Sequence, residues 1–224
     1  MDRAERVFLH FAPDIEYFSY FPYLSGKHLL CTQSFRRLFN TEVVRSTDGI
    51  GVNDITLLFS DLKDSTAMYE RIGDQQAFHL VSEHFECLAR TIARCSGAVV
   101  KTMGDAIMAS FAEPATAVAA ALLMTEEISR LDSGPENDPL GLKIGIHRGS
   151  AIAVTCNDTV DFFGSTVNIS ARVQGTAGRN EICITEEVYA VDEVQALLTG
   201  HKVTRELNIT LKGVAEPIPI YRIV

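Results

Sequence analysis

The chain has 224 residues, of which 46% are hydrophobic and 22% charged, and this suits one domain or one domain plus an extension. Its net charge of −9 argues against broad binding to nucleic acid or to an anionic membrane surface. The five scattered cysteines lack CxxC spacing, so reduced thiols are favoured over a disulfide framework or a zinc site. The longest apolar stretch, 117–124, is far too short to span a bilayer. We therefore expect a cytoplasmic chain without membrane insertion, with room for a sensor domain upstream.

Residues 1–52 form an N-terminal extension that is unusually rich in phenylalanine and tyrosine. A disordered tail would be poor in aromatic side chains, so we expect this segment to pack on the main domain or on a partner. Two roles stay open for it: a regulatory one, in which it gates a dimer, and plain packing. The aromatic positions near its start are Phe8, Phe11, Tyr17, Phe18, Tyr20, Phe21 and Tyr23.

From residue 53 onward, strand and helix patterns alternate. Apolar runs predict a buried strand over 55–61, a hairpin of strands 98–103 and 106–111 about Gly104-Asp105, and a second hairpin of strands 142–146 and 151–155 about Arg148-Gly149. Further strands are predicted over 181–185, 202–212 and 216–223. Helical periodicity predicts a short helix from Ser65 or Thr66 to about Gly73, and longer helices over 75–95, 114–131 and 165–174. The order strand, helix, strand, strand, helix, strand indicates an α+β, ferredoxin-like βαββαβ core with extra C-terminal strands.

Two aspartates follow apolar strands, Asp61 after the first and Asp105 in the turn of the first hairpin. Each alone is most often a turn or helix-cap residue. Neighbouring strands lie about 5 Å apart, however, so the two carboxylates converge if these strands adjoin. A pair of divalent ions held there can assist an attacking oxygen and a leaving phosphate.

Two further groups of polar residues have both an ordinary and a functional interpretation. The loop 61–66 enters a helix N-terminus, where free backbone N–H groups can hold phosphate, although simple capping by Asp64 or Ser65 explains it equally well. Asn168 and Arg172 share one helix face through their i, i+4 spacing, which is also typical of a solvated face.

Three segments closely resemble the catalytic domain of class III adenylyl cyclases. They are Phe59-Ser-Asp-Leu-Lys-Asp-Ser-Thr66, Lys101-Thr-Met-Gly-Asp105 and Asp161-Phe-Phe-Gly-Ser-Thr-Val-Asn-Ile-Ser-Ala-Arg172. Their order and spacing match the family, and the resemblance covers about residues 53–224, which we therefore treat as the catalytic domain. It implies the class III nucleotide cyclase fold.

The resemblance also implies roles for individual residues. Asp61, Asp105 and the backbone carbonyl of Leu62 would bind two Mg²⁺ or Mn²⁺ ions per active site. Lys101 and Asp161 would select adenine, Asn168 would orient the ribose, and Arg172 would stabilise charge on the α-phosphate. The remaining substrate contacts would be made by Leu62, Ser65, Thr66 and Lys212, the last of these matching the family's triphosphate-binding lysine.

The choice of base has a physical reason. Adenine presents an acceptor at N1 and a donor at N6, which a lysine donor and an ionised aspartate acceptor complement. Guanine reverses that pattern, and guanylyl cyclases of the family usually have Glu and Cys where this chain has Lys101 and Asp161. The implied reaction converts ATP to 3′,5′-cyclic AMP and pyrophosphate by in-line attack of the ribose 3′-oxygen on the α-phosphorus.

A homodimer with two shared sites is expected on geometric grounds. Lys101 and Asp105 lie on one tight hairpin, whereas the base and the polyphosphate of an extended nucleotide are well separated. An isologous dimer solves this, because the metal-binding aspartates of one protomer then face the base-selecting residues of the other.

One position departs from the family. Relatives usually have Gly where this chain has Asp64, and a carboxylate there is expected to cap the helix well but to repel a triphosphate. The alternative to an active enzyme is therefore a catalytically weak or silent cyclase-fold module for nucleotide sensing or dimerisation.

Overall fold

The computed structural model describes residues 24–38, 49–130, 141–156, 159–211 and 216–224. The aromatic cluster at positions 8–23 lies outside these residues. Among the helices described, none is long and apolar enough to cross a membrane.

Eight helices and eight strands are formed in the described ranges. The helices are α1 (Gly26–Leu30), α2 (Gln33–Leu38), α3 (Ser65–Ile72), α4 (Asp74–Arg94), α5 (Pro114–Arg130), α6 (Ser165–Thr176), α7 (Glu186–Tyr189) and α8 (Asp192–Leu197). The strands are β1 (Ile50–Lys63), β2 (Gly97–Met103), β3 (Ala106–Phe111), β4 (Gly141–Cys156), β5 (Thr159–Phe163), β6 (Glu181–Thr185), β7 (Val203–Ile209) and β8 (Ile218–Ile223).

The strands form one mixed sheet in the order β2-β3-β1-β4-β6-β8-β7, with β5 paired to β4. Each neighbouring pair among the first four strands is antiparallel, and with α3, α4 and α5 between them these strands make the βαββαβ core. Strand β6 joins β4 in parallel, and β8 and β7 follow in antiparallel pairing. The predicted α+β fold with extra C-terminal strands is confirmed.

Each face of the sheet has its own hydrophobic core. In β1, Leu58 and Leu62 lie in a large cluster with buried residues of α4 and α5, whereas Leu57 and Phe59 lie in a second cluster on the opposite face. Because strand side chains alternate between faces, Asp61 belongs to the second face. Leu30 and Cys31, in and just after α1, are buried in this second cluster, so the described part of the N-terminal extension covers that face.

The predicted hairpin about Arg148-Gly149 is wrong, because residues 141–156 form the single continuous strand β4. Gly149 is needed for close packing and not for a turn. A Cβ at Gly149 would lie 2.6 Å from Oγ1 of Thr166, and a Cβ at Gly145 would lie 2.1 Å from the backbone nitrogen of Gln174. Both glycines therefore let α6 lie directly against the backbone of β4.

Three other features were not predicted from the sequence. Strand β1 begins at Ile50 and not at residue 55, since it continues across a bulge between Val52 and Ile55. Strand β5 pairs with the second half of β4, and no strand is predicted there from the sequence. Helices α7 and α8 are too short for helical periodicity to reveal them.

His84 of α4 is fully buried, and neither ring nitrogen has a hydrogen-bond partner within the described chain. Burial disfavours the charged form of the ring and lowers the pKa of His84 to about 4, from an ordinary value of 6.5. The unfolded chain therefore takes up a proton at this position below about pH 6.5, while the folded chain does not.

We predict that the free energy of unfolding falls as pH drops from about 6.5 to 4, by roughly 3 kcal/mol on account of His84. His84→Leu should remove this part of the acid sensitivity, whereas His79→Leu, at an exposed position of the same helix, should retain it. Urea titrations at several pH values measure the difference. An equal pH slope in the two variants would contradict the assignment.

Candidate active site

Two oppositely charged side chains pair at the end of β1, and the β2–β3 turn that carries Asp105 lies on the other side of that strand. Asp61 is the direct neighbour of Lys143 across the β1–β4 pair, and Asp61 Oδ2 lies 2.7 Å from Lys143 Nζ. On the other side of β1, the register Ser60 to Ile107 places Asp105 next to the strand end. Strand β3, which follows Asp105, pairs with β1, whereas β2, which precedes Asp105, is separated from β1 by β3.

The donor set at this strand end fits a hard divalent cation. The Oδ2 atom of Asp105 is buried without a hydrogen-bond partner in the described structure, and such an orphaned carboxylate oxygen is suited to a cation. The ammonium group of Lys143 already supplies one positive charge to Asp61. No group of three or more His, Cys, Asp or Glu side chains converges in the described ranges. An ion here would need further oxygens from a substrate, as Mg²⁺ commonly does.

The loop after β1 has an unusual backbone at Asp64. Asp64 adopts the left-handed conformation, with φ of 61° and ψ of 28°, and its side chain makes no capping hydrogen bond to α3. The expectation that this carboxylate caps the helix is wrong, because it turns instead to Lys63, with Nζ and Oδ1 3.1 Å apart. A left-handed residue is the position where glycine fits without strain. Ser65 is the first residue of α3, while the side chain of Thr66 and all of Lys212 lie outside the described structure.

Lys101 and Asp161 form an ion pair, with Nζ and Oδ2 2.7 Å apart. The second oxygen of Asp161 accepts a hydrogen bond from the backbone N–H of Phe162 at 2.8 Å. Across the sheet, Lys101 pairs with Met108, Met108 with Phe59, and Phe59 with Gly145 of β4. Asp161 pairs with Val154, which lies nine residues beyond Gly145 on β4. The ribbon of β5 and the distal half of β4 therefore curls back over the second face until it reaches β2.

Helix α6 presents Asn168 and Arg172 on a face that points away from the sheet. Gln174, near the end of α6, approaches Asp61, with its Nε2 3.5 Å from Oδ2. At 100° per residue, Arg172 lies about 160° around the helix from Gln174. Asn168 is exposed, and neither it nor Arg172 pairs with another side chain of the described residues. Arg172 is thus directed away from Asp61 of its own chain.

Sequence reasoning missed Lys143 and Gln174. A signal for Lys143 is present, because it is the single charged residue in the apolar run 142–146. Its pairing with Asp61 depends on the register between β1 and β4, which the sequence does not display.

Solved structures of nucleotide cyclases share this fold. An adenylate cyclase from Trypanosoma brucei in its monomeric state superposes with a TM-score of 0.68 at 23% identity, covering 82% of this chain and 93% of that one. The guanylate cyclase domain of RhGC from Catenaria anguillulae, in complex with GTP, also gives 0.68 at 19% identity, covering 78% and 98%. The fold is therefore that of the class III cyclase catalytic domains.

Curated sequences give the same result. An adenylate cyclase of Anabaena cylindrica is 29% identical over 187 residues, covering 75% of this chain and 36% of that protein. An adenylate cyclase of Mycosarcoma maydis is 31% identical over 172 residues, covering 66% of this chain and 6% of that protein. The chain thus spans only a minor part of these relatives. Residues 50–223 match the adenylate and guanylate cyclase catalytic domain, and the chain belongs to that family.

Asp64 combines a negative charge with a left-handed backbone in the loop between β1 and α3. We expect Asp64→Gly to tighten binding of ATP and lower its apparent Michaelis constant, because one negative charge leaves the loop. We also expect the variant to gain about 1 kcal/mol of stability from relief of the left-handed conformation. Thermal melts and a saturation curve measure the two effects.

Asp54 provides a matched control, since it is also a left-handed aspartate, with φ of 56°, and it lies at the β1 bulge. Asp54→Gly should change stability similarly and leave the Michaelis constant unaltered. An unchanged or higher constant in Asp64→Gly would count against repulsion by this carboxylate.

Proposed function

We propose that the protein is an adenylyl cyclase that converts ATP to 3′,5′-cyclic AMP and pyrophosphate. The observation that carries this proposal is the Lys101–Asp161 pair. It holds a donor-only and an acceptor-only group side by side at 2.7 Å, as the N1 and N6 edge of adenine requires. A guanine edge would place a donor against the lysine and an acceptor against the carboxylate. Family membership and adenylate cyclase relatives support the reaction class.

In this proposal Asp61, Asp105 and the backbone carbonyl of Leu62 hold two Mg²⁺ or Mn²⁺ ions. When bound, such ions supply positive charge to the attacking 3′-oxygen and to the leaving pyrophosphate. Asn168 orients the ribose for in-line attack. Arg172 donates its fork of N–H groups to the charge that builds on the α-phosphoryl oxygens, and the protein's part is chiefly positioning and neutralisation.

Lys143 adds a positive charge beside the metal-binding aspartates. Its ammonium pairs with Asp61 in the structure and is only partly exposed. We assign it to the triphosphate, whose negative charge the acidic chain must offset locally. Ser65 and Thr66, at the start of α3, and Lys212 remain proposed phosphate contacts.

A homodimer with two shared sites is part of the proposal. Arg172 points away from Asp61 of its own chain, so a second chain can bring the two groups together. Large apolar side chains are exposed on the strands that hold the site residues, namely Met103 at 41%, Ile152 at 44% and Phe163 at 67%. Exposed apolar groups on this scale favour burial against a second copy.

The second candidate is a cyclase-fold module that binds nucleotide without turnover. The observation that favours it is Asp64, a carboxylate in the loop that would receive the triphosphate. The two candidates share the fold and differ in whether product forms.

Incubation of the purified protein with Mn²⁺ and ATP should yield cyclic AMP, and Asp61→Ala should lower the rate at least 100-fold, an estimate typical of removing a principal electrostatic contact. Asp192→Ala, at an exposed carboxylate of α8, should retain the wild-type rate. Chromatography of the nucleotide products is the readout. Binding of ATP without formation of cyclic AMP would contradict the enzyme and support the second candidate, the module without turnover.

Mixing of two inactive variants tests the shared sites. Asp61→Ala and Arg172→Ala should each be inactive, whereas their co-expression should restore about a quarter of wild-type activity. Half of the dimers are then mixed, and each mixed dimer has one intact site of two. Co-expression of Asp61→Ala with Asp105→Ala, which alter the same half-site, should restore nothing. Failure of the first pair to regain activity in isolated mixed dimers would exclude sites shared between protomers.

A further inference from the structure

Helix α2 joins the two strands that hold the Lys101–Asp161 pair. Gln33 of α2 accepts a hydrogen bond through Oε1 from the backbone N–H of Val99 at 2.7 Å. Val99 lies two residues before Lys101 on β2, which is the outer strand of the sheet. The pairing of β2 with β3 is irregular between these two residues. The helix therefore satisfies a donor that an edge strand would otherwise leave unpaired.

Arg36, one helical turn further along α2, makes the corresponding contacts to β5. Its side chain is buried, with 7% exposure. One Nη atom donates to the carbonyl of Leu30 at 3.3 Å, and the other donates to the carbonyl of Val160, the residue before Asp161. The guanidinium carbon also lies 5.8 Å from the ring centroid of Phe162, the residue after Asp161. Arg36 thus contacts both chain neighbours of the base-selecting aspartate.

Burial of a guanidinium is unfavourable unless its donors and its charge are matched. Loss of solvent lowers the pKa of Arg36, and interactions with the Cys31 thiol and with the Asp161 carboxylate act in the opposite direction. Asp161 therefore lies within the electrostatic reach of two cations, Lys101 through direct contact and Arg36 from α2. The neighbouring Arg37 is exposed on the same helix. A cation on this helix can therefore stay in solvent, and the burial of Arg36 is specific to its own position.

We propose that Arg36 is a positioning residue for recognition of the base: by holding β5 at Val160 and Phe162, it fixes Asp161 beside Lys101 and so sets the preference for adenine over guanine. This inference rests on the proposed function, in which that pair reads the base. The role of Arg36 also assigns a function to α2 of the N-terminal extension, because this helix bridges the edges of β2 and β5. Arg36 acts through Asp161 and is not itself a contact to the nucleotide.

The test compares Arg36→Met, which keeps an apolar stem and loses the guanidinium, with Arg37→Met as the matched control. Binding of 3′-deoxy-ATP and 3′-deoxy-GTP with Mn²⁺ is measured by calorimetry, because neither nucleotide has the 3′-hydroxyl needed for cyclisation. We expect Arg36→Met to reduce the ratio of the two affinities about tenfold, which corresponds to ~1.4 kcal/mol. Arg37→Met should keep the wild-type ratio.

Partial loss of folding does not imitate this result, since a smaller folded fraction lowers the apparent stoichiometry for both nucleotides and leaves the ratio of affinities unchanged. Arg36→Lys should give an intermediate ratio, because a lysine keeps the charge but cannot donate to both carbonyls with one planar fork. In turnover, Arg36→Met should raise the Michaelis constant for ATP more than it lowers kcat, as expected for an interaction that is equal in ground and transition states.

The outcomes separate the inference from the function on which it rests. A wild-type chain that binds both analogues equally would overturn adenine recognition and the role of Arg36 together. A wild-type preference for the adenine analogue that Arg36→Met retains in full would overturn the role of Arg36 alone. A preference that falls in Arg36→Met and persists in Arg37→Met would establish it.

Discussion

The position of β1 between β3 and β4 is the constraint on which the candidate site depends. Antiparallel pairing on both sides places the end of β1 against the β2–β3 turn and against the start of β4. Asp61 therefore pairs with Lys143 of β4, on the side of the sheet away from the β2–β3 turn that carries Asp105. A slip of one residue in either register would move Asp61 to the opposite face of the sheet, among the apolar side chains of α4 and α5.

The Lys101–Asp161 ion pair depends on a different kind of contact, one between distant parts of the chain. Lys101 and Asp161 are far apart when measured along the strands, and their ion pair exists because the β4–β5 ribbon curls over the sheet. Two hydrophobic residues of β5, Val160 and Phe162, are buried with Met108 and Val100 under that ribbon. Burial of these apolar side chains thus stabilises the folding of the β4–β5 ribbon over the sheet. Polar contacts from α2 hold β5, the outer strand of that ribbon.

The local parts of this structure could be predicted from the sequence, and the long-range parts could not. The order of most elements follows from strand and helix periodicity and from the ferredoxin-like pattern. The long strand β4 was divided in two because Gly149 resembles a turn residue, although its lack of a side chain serves contact with Thr166. Lys143 and Arg36 were overlooked since their partners lie 82 and 124 residues away, and no local pattern encodes such a pairing. The left-handed backbone of Asp64 is likewise invisible in a sequence where aspartate normally indicates a cap.

The absence of a side chain at Gly145 has a mechanical consequence for the whole site. Helix α6 is in backbone contact with β4 at this point, and a helix seated on a strand in this way cannot slide along it without steric overlap. Asn168, Arg172 and Lys143 therefore move as one rigid block. Freedom to adjust the spacing of the charged groups is confined to elements outside that block, such as the short β2–β3 turn that carries Asp105.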